Sequence, residues 1–300
     1  MKVLLTGAVG QLGRALQSSV PAAVTLTALD RSGLDITSAE AVRAAVAAIQ
    51  PDCIINAAAY TAVDAAEANV ADAERCNGGG AANLAAAAAA LPGVRMLQLS
   101  TDYVFDGASR TPYAPDSPTA PLNVYGRSKL AGEQSVLQRL GERALVLRVA
   151  WLYGAVGRNF VHTMLRLLRE RGEVRVVGDQ IGSPTAVRPL ADVVWRCVAR
   201  PDLSGIFHWT DAGVASWYDF AVAIAEDAAA RGMLAGTPRV RAIRTEDYPT
   251  PAQRPRFSVF DRQRLMHALQ IEPEHWRVRL REVLDEIRLA PGAVSPVQRS

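Results

Sequence analysis

The chain has 300 residues, 49% of them hydrophobic and 21% charged, with a net charge of +3. That length supports one large or two smaller buried cores, and the balance is ordinary for a globular protein. The charge is too small, and basic runs too poor in aromatics, to argue for nucleic acid; the longest apolar stretch, Leu84 to Leu91, is too short to span a bilayer. Three scattered cysteines, Cys53, Cys76 and Cys197, read as buried thiols of a reducing compartment. The four histidines have no metal-ligand spacing, so no metal site is expected. The N-terminus shows no charged segment leading into an apolar one, and a cytoplasmic location is the expectation.

The first element is a short apolar strand, Val3 to Leu5. It runs into Gly7-Ala8-Val9-Gly10-Gln11-Leu12-Gly13, and a helix is expected from Arg14 to Val20. Strand, glycine turn and helix are the setting of a dinucleotide fingerprint, in which glycines admit a pyrophosphate to the backbone and the helix start attracts it. A second strand, Val24 to Leu29, ends at Asp30, where a carboxylate can bind the adenosine ribose. Arg31 follows, and its guanidinium could instead face a 2′-phosphate, so NADPH and NADH both remain open. Asp35 and Ile36 either flank an adenine or cap the helix Ala39 to Ile49, with Thr37 or Ser38 at its start.

A third strand begins at Cys53 and reaches the small residues before Tyr60. Asn77 and three glycines open an alanine-rich helix, Ala81 to Ala90. The fourth strand, Val94 to Leu99, ends at Ser100-Thr101-Asp102. Strands and helices alternate, which predicts an α/β chain with a doubly wound parallel sheet, with ligands at the carboxyl ends of its strands. A proline-punctuated loop, 106–122, precedes a helix from Val124 to Gly141. A fifth strand, Ala144 to Ala150, meets Trp151, and a helix runs from about Phe160 to Arg171. Further on come a strand at Val174 to Val177, a helix at Leu190 to Ala199 and a sixth core strand at Ile206 to Trp209. Ser216 is the expected cap of a helix reaching Arg231. From Gly236 the strand–helix rhythm is expected to stop. The prolines and arginines of 248–256 suit either a wall facing an anionic ligand or a plain surface loop. Two helices, about 261–269 and Trp276 to Leu289, end the domain, and the residues after Pro291 read as a frayed tail.

Tyr125 and Lys129 stand four apart, one turn on the same helix face. A lysine there is expected to lower the phenol's pKa from about 10 and fit it for proton transfer. Thr101 precedes them by one loop, so its hydroxyl and the phenol can reach one carbonyl oxygen. This set, with the glycine turn and Asp30, resembles the extended short-chain dehydrogenase/reductase superfamily. Ser100-Thr101-Asp102-Tyr103-Val104-Phe105-Asp106-Gly107, Pro121-Leu122-Asn123-Val124-Tyr125-Gly126, Lys129-Leu130-Ala131-Gly132-Glu133 and Tyr248-Pro249-Thr250-Pro251 with Arg254-Pro255 go further. With Asn56-Ala57-Ala58-Ala59-Tyr60-Thr61-Ala62-Val63-Asp64, they resemble the dTDP-4-dehydrorhamnose reductase family.

The resemblance implies a Rossmann-type sheet with a smaller C-terminal α/β substrate domain. Residues 1–152 with 186–210 would bind the dinucleotide, and 153–185 with 211–300 the substrate. It implies reduction of the 4-keto group of dTDP-4-dehydro-6-deoxy-L-mannose by NADPH or NADH. Tyr125 would be the proton donor, Lys129 its tuner and a ribose contact, and Thr101 a hydrogen-bond donor to the reacting oxygen. Gly7, Gly10, Gln11, Leu12 and Gly13 would lie on the pyrophosphate, Asp30 on the ribose, Asp35 and Ile36 near adenine, and Ala59, Tyr60 and Thr61 along the cofactor. Asp102 and Trp151 would join Thr101 at the substrate. Magnesium is an option by resemblance alone, and a homodimer stays open. Two alternatives remain: an epimerase on the same fold, and a non-catalytic subunit resembling the regulatory subunit of methionine adenosyltransferase. A dehydratase would need an acid where Tyr103 stands.

Overall fold

The computed structural model describes residues 1–236 and 238–290. Its centre is a six-stranded sheet: β1 (Lys2–Thr6), β2 (Thr25–Leu29), β3 (Cys53–Asn56), β4 (Arg95–Thr101), β5 (Ala144–Val149) and, much later in the chain, β10 (Gly205–Trp209). The spatial order is β10-β5-β4-β3-β1-β2, and every pairing is parallel. The chain leaves β1 for β2 on one side and returns to β3 on the other. Loops therefore part at the carboxyl ends of β1 and β3, where such sheets hold ligands.

The apolar runs predicted these strands because both faces are covered by helices. On one face α1 (Gln11–Ser18) and α8 (Val187–Val198) pack Leu12, Leu16, Leu190 and Val194 against Val3, Leu5 and Ile55. Each fully buried leucine contributes roughly 1.5–3 kcal/mol. On the other face lie α2 (Ala39–Ile49), α5 (Ala81–Ala89) and α6 (Val124–Leu140), with Val42, Val46, Leu84 and Val136 against Leu4 and Ile54. Ser38 caps α2 by accepting from Ala41 N at 3.2 Å.

A second core gathers Tyr153, Met164, Leu165, Phe220, Ile224, Leu280 and Leu284. It is built by α7 (Phe160–Glu170), α9 (Trp217–Ala230) and α11 (Trp276–Leu289). Short pairings flank it: β6 (Leu152–Tyr153) with β9 (Thr185–Ala186), and β8 (Ile181–Gly182) with β11 (Ala215–Ser216). Ser216 caps α9 in a reciprocal box with Asp219. The expected end of the strand–helix rhythm at Gly236 is wrong. β12 (Arg239–Ile243) pairs in parallel with β7 (Glu173–Val177), after the chain has visited the large sheet and returned through α9. α10 (Gln263–Leu269) returns to the large sheet, where Leu265 joins the first core.

Two helices differ from expectation at their starts. α1 begins at Gln11, not Arg14, because Gly10 is extended and Gly13 lies against the Gly7 carbonyl, leaving no room for a side chain there. The alanine-rich helix is only the last part of a longer helical run. α3 (Val63–Ala68) and α4 (Val70–Ala73) lead into a wider π-helical turn, Glu74–Gly80, which carries Asn77 and the three glycines. Gly80 sits on Ile36, where an added Cβ would come within 2.5 Å of Cδ1.

One buried ion pair locks α6 to the sheet. Arg148 of β5 donates to Glu133 of α6 through Nε at 2.9 Å and Nη2 at 2.7 Å, with both side chains at most 2% exposed. Nη1 donates to Pro115 O at 3.2 Å and lies 3.4 Å from His208 Nε2. The arginine is donor-only, so Nε2 must accept; Nδ1, 3.1 Å from Tyr113 O, must then carry the proton. Burial and Arg148 hold His208 neutral, pushing it down to about 3. Removing one partner of such a pair leaves the other charge buried alone. Arg148→Met is therefore expected to cost about 3–5 kcal/mol of unfolding free energy, read from urea denaturation of both proteins.

Candidate active site

The cleft opens over the carboxyl ends of the sheet and has a volume of about 870 Å³, the size of a cofactor site. Every site residue that the sequence pointed to lines it. Gly7 has φ +79°, and an added Cβ would come within 2.5 Å of the Ala57 backbone. A Cβ on Gly13 would lie 2.2 Å from Gly7 O. The turn and the helix start are thus pressed together as only glycines allow. Arg14 N makes the first intrahelical bond, to Gly10 O, so the N–H groups of Gln11, Leu12 and Gly13 have no helical acceptor. Three free donors and the positive helix end form a seat for a diphosphate.

Beneath this seat runs a buried polar chain. Thr6 Oγ1 donates to Asn56 Oδ1 at 2.7 Å, and Asn56 Nδ2 donates to Gln98 Oε1 at 2.8 Å. Asn56 Oδ1 also accepts from Ala58 N at 3.1 Å, which fixes the turn into Ala59 and Tyr60. Asn77 completes that wall: its Oδ1 accepts from Tyr60 N at 2.8 Å and its Nδ2 donates to Ser128 Oγ at 2.9 Å.

At the far end Asp30 turns its carboxylate into its own loop. Oδ1 accepts from Ser32 Oγ at 2.6 Å and from the N–H groups of Ser32 and Gly33. The Ser32 hydroxyl and the Gly33 N–H hold its pKa below the usual carboxylate range. Asp35 is bound in the same way by Thr37, and the Arg31 and Arg75 charges also face it. Arg31 itself is 84% exposed.

Thr101 ends β4 at the centre of the cleft, and α6 brings Tyr125 and Lys129 beside it. Asn123 caps α6 by accepting from Gly126 N at 2.8 Å. The Thr101 hydroxyl lies beside the Tyr125 phenol and donates to Asp102 Oδ1 at 3.1 Å. Burial pushes the Tyr125 phenol up to about 12, with the Thr101 hydrogen bond working against it. The expected lowering by Lys129 does not occur. The Lys129 ammonium is turned to Leu99 O at 2.6 Å, and the charge that bears on the phenol is that of Asp102, which raises it further. Lys129 is itself brought down to about 8 by burial, against the opposing pull of Glu133.

Trp151 holds a strained φ of +50° at the mouth. Its ring stacks on Trp217 at 3.5 Å and 4°, and an added Cβ on Gly182 would lie 2.6 Å from the indole. Sequence reasoning missed Trp217, Arg158 and Arg75, which also line the cleft. Each lies in a segment with no motif of its own, and only the fold brings it here. Of the two readings of 248–256, the surface loop fits: none of its residues lines the cleft, Arg254 binds Asp64 at 2.7 Å and Arg256 pairs with Glu246. Among the described residues no three His, Cys, Asp or Glu side chains stand together to hold a metal. No helix among them is long and apolar enough to cross a membrane.

A parallel sheet with its crevice at β1 and β3, a glycine-built diphosphate seat and a Thr–Tyr–Lys set define a dinucleotide-dependent oxidoreductase of the short-chain dehydrogenase/reductase type. The family model of the RmlD substrate binding domain matches residues 1–289, and the chain belongs to that family. It is 41% identical to a dTDP-4-dehydrorhamnose reductase of Aggregatibacter actinomycetemcomitans over 94% of this chain and 98% of that one. It is 42% identical to a probable dTDP-4,6-dihydroxy-2-methyloxan-3-one 4-ketoreductase of Streptomyces antibioticus over 97% of each. The crystal structure of a Bacillus anthracis dTDP-4-dehydrorhamnose reductase in complex with NADP superposes with a TM-score of 0.89 at 37% identity, covering 95% of this chain and 99% of that one.

Asp102 supplies a pH test. Its side chain is buried, Oδ2 has no hydrogen-bond partner, and burial pushes the acid up to about 6. Between about pH 4 and 6 the native state then holds a proton that the unfolded chain has lost, so this group's contribution falls as pH rises. Asp102→Asn keeps the acceptor for Thr101 and removes that loss. Relative to wild type it should gain about 3 kcal/mol as pH climbs from 4 to 7, measured by urea unfolding at both ends.

Proposed function

We propose that this chain reduces the 4-keto group of dTDP-4-dehydro-6-deoxy-L-mannose to give dTDP-L-rhamnose, with a nicotinamide dinucleotide as cofactor. The observation that carries this reading is that Thr101, Tyr125 and Lys129 line one cleft together with the glycine-built diphosphate seat. The residues fit the cofactor: free N–H groups at Gln11 to Gly13 for its diphosphate, and Ala57 to Tyr60 as a wall of small side chains held from below.

The reduced nicotinamide supplies hydride to the carbonyl carbon. Tyr125 gives its phenolic proton to the oxygen that becomes an alkoxide. Its high pKa keeps that proton in place at neutral pH, which is the state an acid must be in at the start of a reduction. Thr101, turning its hydroxyl away from Asp102 Oδ1, donates to the same oxygen and steadies the charge as it develops. Lys129, tied to Leu99 O, sets the floor on which Tyr125 stands and presents its remaining donors to a ribose. Asp102 accepts from a sugar hydroxyl, and the Trp151 ring shapes the pocket on the substrate side. Residues 1–152 with 186–210 form the cofactor-binding unit, and 153–185 with 211–300 the substrate-binding unit. The two separate hydrophobic cores support that division, with α10 as an outlier packed on the sheet.

NADPH is the tighter cofactor on this reading. The Asp30 carboxylate is turned into its own loop, and Arg31, 84% exposed with a loose 4.0 Å contact to Asp35, can swing to meet a 2′-phosphate. Arg31→Ala should weaken NADPH about tenfold and leave NADH within twofold, measured by nicotinamide fluorescence titration.

The direct test is nicotinamide absorbance on adding the dTDP-sugar. Substrate-dependent oxidation is expected, and its absence in protein that binds the cofactor would remove the proposed substrate. Tyr125→Phe should lose about a hundred- to ten-thousandfold in kcat with cofactor affinity retained. Full turnover in that variant would dismiss Tyr125 as the donor.

A further inference from the structure

The loop 248–256 carries one of the resemblance motifs yet contributes nothing to the cleft lining, so its half-buried Arg254 needs another explanation. Arg254 Nη2 donates to Asp64 Oδ2 at 2.7 Å, just before α3. Its Nη1 donates to Thr250 Oγ1 at 2.5 Å and to Ala252 O at 3.0 Å, which folds the loop around the guanidinium. Asp64 closes the circle by accepting from Ala252 N at 3.2 Å through Oδ1. Asn123, the cap of the helix that bears Tyr125, donates to Gln253 O at 2.8 Å. The loop therefore clamps the start of α3 and the start of α6 together.

The same guanidinium faces the Tyr103 phenol. Tyr103 lines the cleft between Asp102 and Tyr125, and its ring meets the Tyr125 ring edge-on at 5.5 Å. Its backbone is under α6 as well: an added Cβ on Gly126 would lie 2.1 Å from Tyr103 O. An arginine offers only donors, so its approach to the Tyr103 oxygen leaves the phenol's own O–H free for another partner. The open direction is the cleft.

We propose that Arg254, braced by Asp64, is a positioning residue that holds Tyr103 against Tyr125 and directs the Tyr103 hydroxyl to the sugar, so that it sets the geometry of proton delivery. This rests on the reductase reading above. Arg254 touches neither cofactor nor substrate, and its effect passes through Tyr103.

The experiment compares wild type, Arg254→Met, Arg254→Lys, Tyr103→Phe and the Arg254→Met/Tyr103→Phe double variant. The readouts are kcat, KM for the dTDP-sugar, NADPH affinity by fluorescence, and thermal melting. Arg254→Met should lower kcat about ten- to a hundredfold, as misplacement of a reacting group does, with NADPH affinity within twofold. Arg254→Lys should recover part of that loss. The double variant should be no slower than Arg254→Met alone, because both changes break one unit. Independent, multiplicative losses would overturn the proposal, as would an unmoved kcat in an active background. Should Arg254→Met fail to fold, Arg254→Lys alone and with Tyr103→Phe gives the same cycle. A wild type that oxidises no NADPH with the sugar sinks the reductase reading and this inference with it. An active wild type with an insensitive Arg254 sinks this inference alone.

Discussion

The site depends on the ion pair between Glu133 and Arg148. It is bidentate and buried, and it joins the middle of α6 to the strand beneath it. Lys129 lies one turn before Glu133 and Tyr125 a further turn back, so fixing Glu133 fixes the height and rotation of the whole catalytic face. The pair also reaches outward. Arg148 holds Pro115 of the long loop and lies 5.1 Å over the Phe105 ring. That ring stacks on Tyr113 at 4.1 Å, and His208 completes the cluster. A charge pair in so dry a place is a poor source of net stability but a strict source of register, since any slip leaves both charges without partners.

Register alone would not bring the groups into contact, and here small residues take over. Gly126 lets α6 descend onto the Tyr103 carbonyl, and Gly132 lets it descend onto Asn77 O, where an added Cβ would lie within 2.4 Å. Asn77 can meet Tyr60 from its side because the helix widens into a π turn at that point. The glycines after Asn77 fit this geometry. Gly78 faces the Ala131 methyl on α6, and Gly80 faces Ile36 on the adenine side. The run spares the space that two neighbouring elements occupy.

These local necessities decide what the sequence could disclose. A turn that needs φ +79° at Gly7 and contact distance at Gly13 leaves glycines at fixed spacing, so the diphosphate seat is readable. Strands covered on both faces leave continuous apolar runs, and a tyrosine and lysine one turn apart leave their spacing. β12 leaves little trace, because Arg239, Arg241 and Ala242 are exposed at a two-stranded edge. α3 and α4 are too short and too rich in alanine to show a period. Trp217 reaches the cleft only through the long return of the chain. The proton-transfer pair shows the same limit: its spacing was legible, but the turning of Lys129 toward Leu99 O, which spares Tyr125 its charge, arises from the strand beneath.

The stacked indoles have a consequence of another kind. Trp151 and Trp217 lie parallel at 3.5 Å on the wall of the cleft. Two such chromophores share their excited state, and indole emission falls where reduced nicotinamide absorbs. The cleft thus contains its own optical gauge. Reduced cofactor in the seat would drain that emission by energy transfer, above the background of the three other tryptophans, and any tilt between the two rings would alter their circular dichroism, with no label attached.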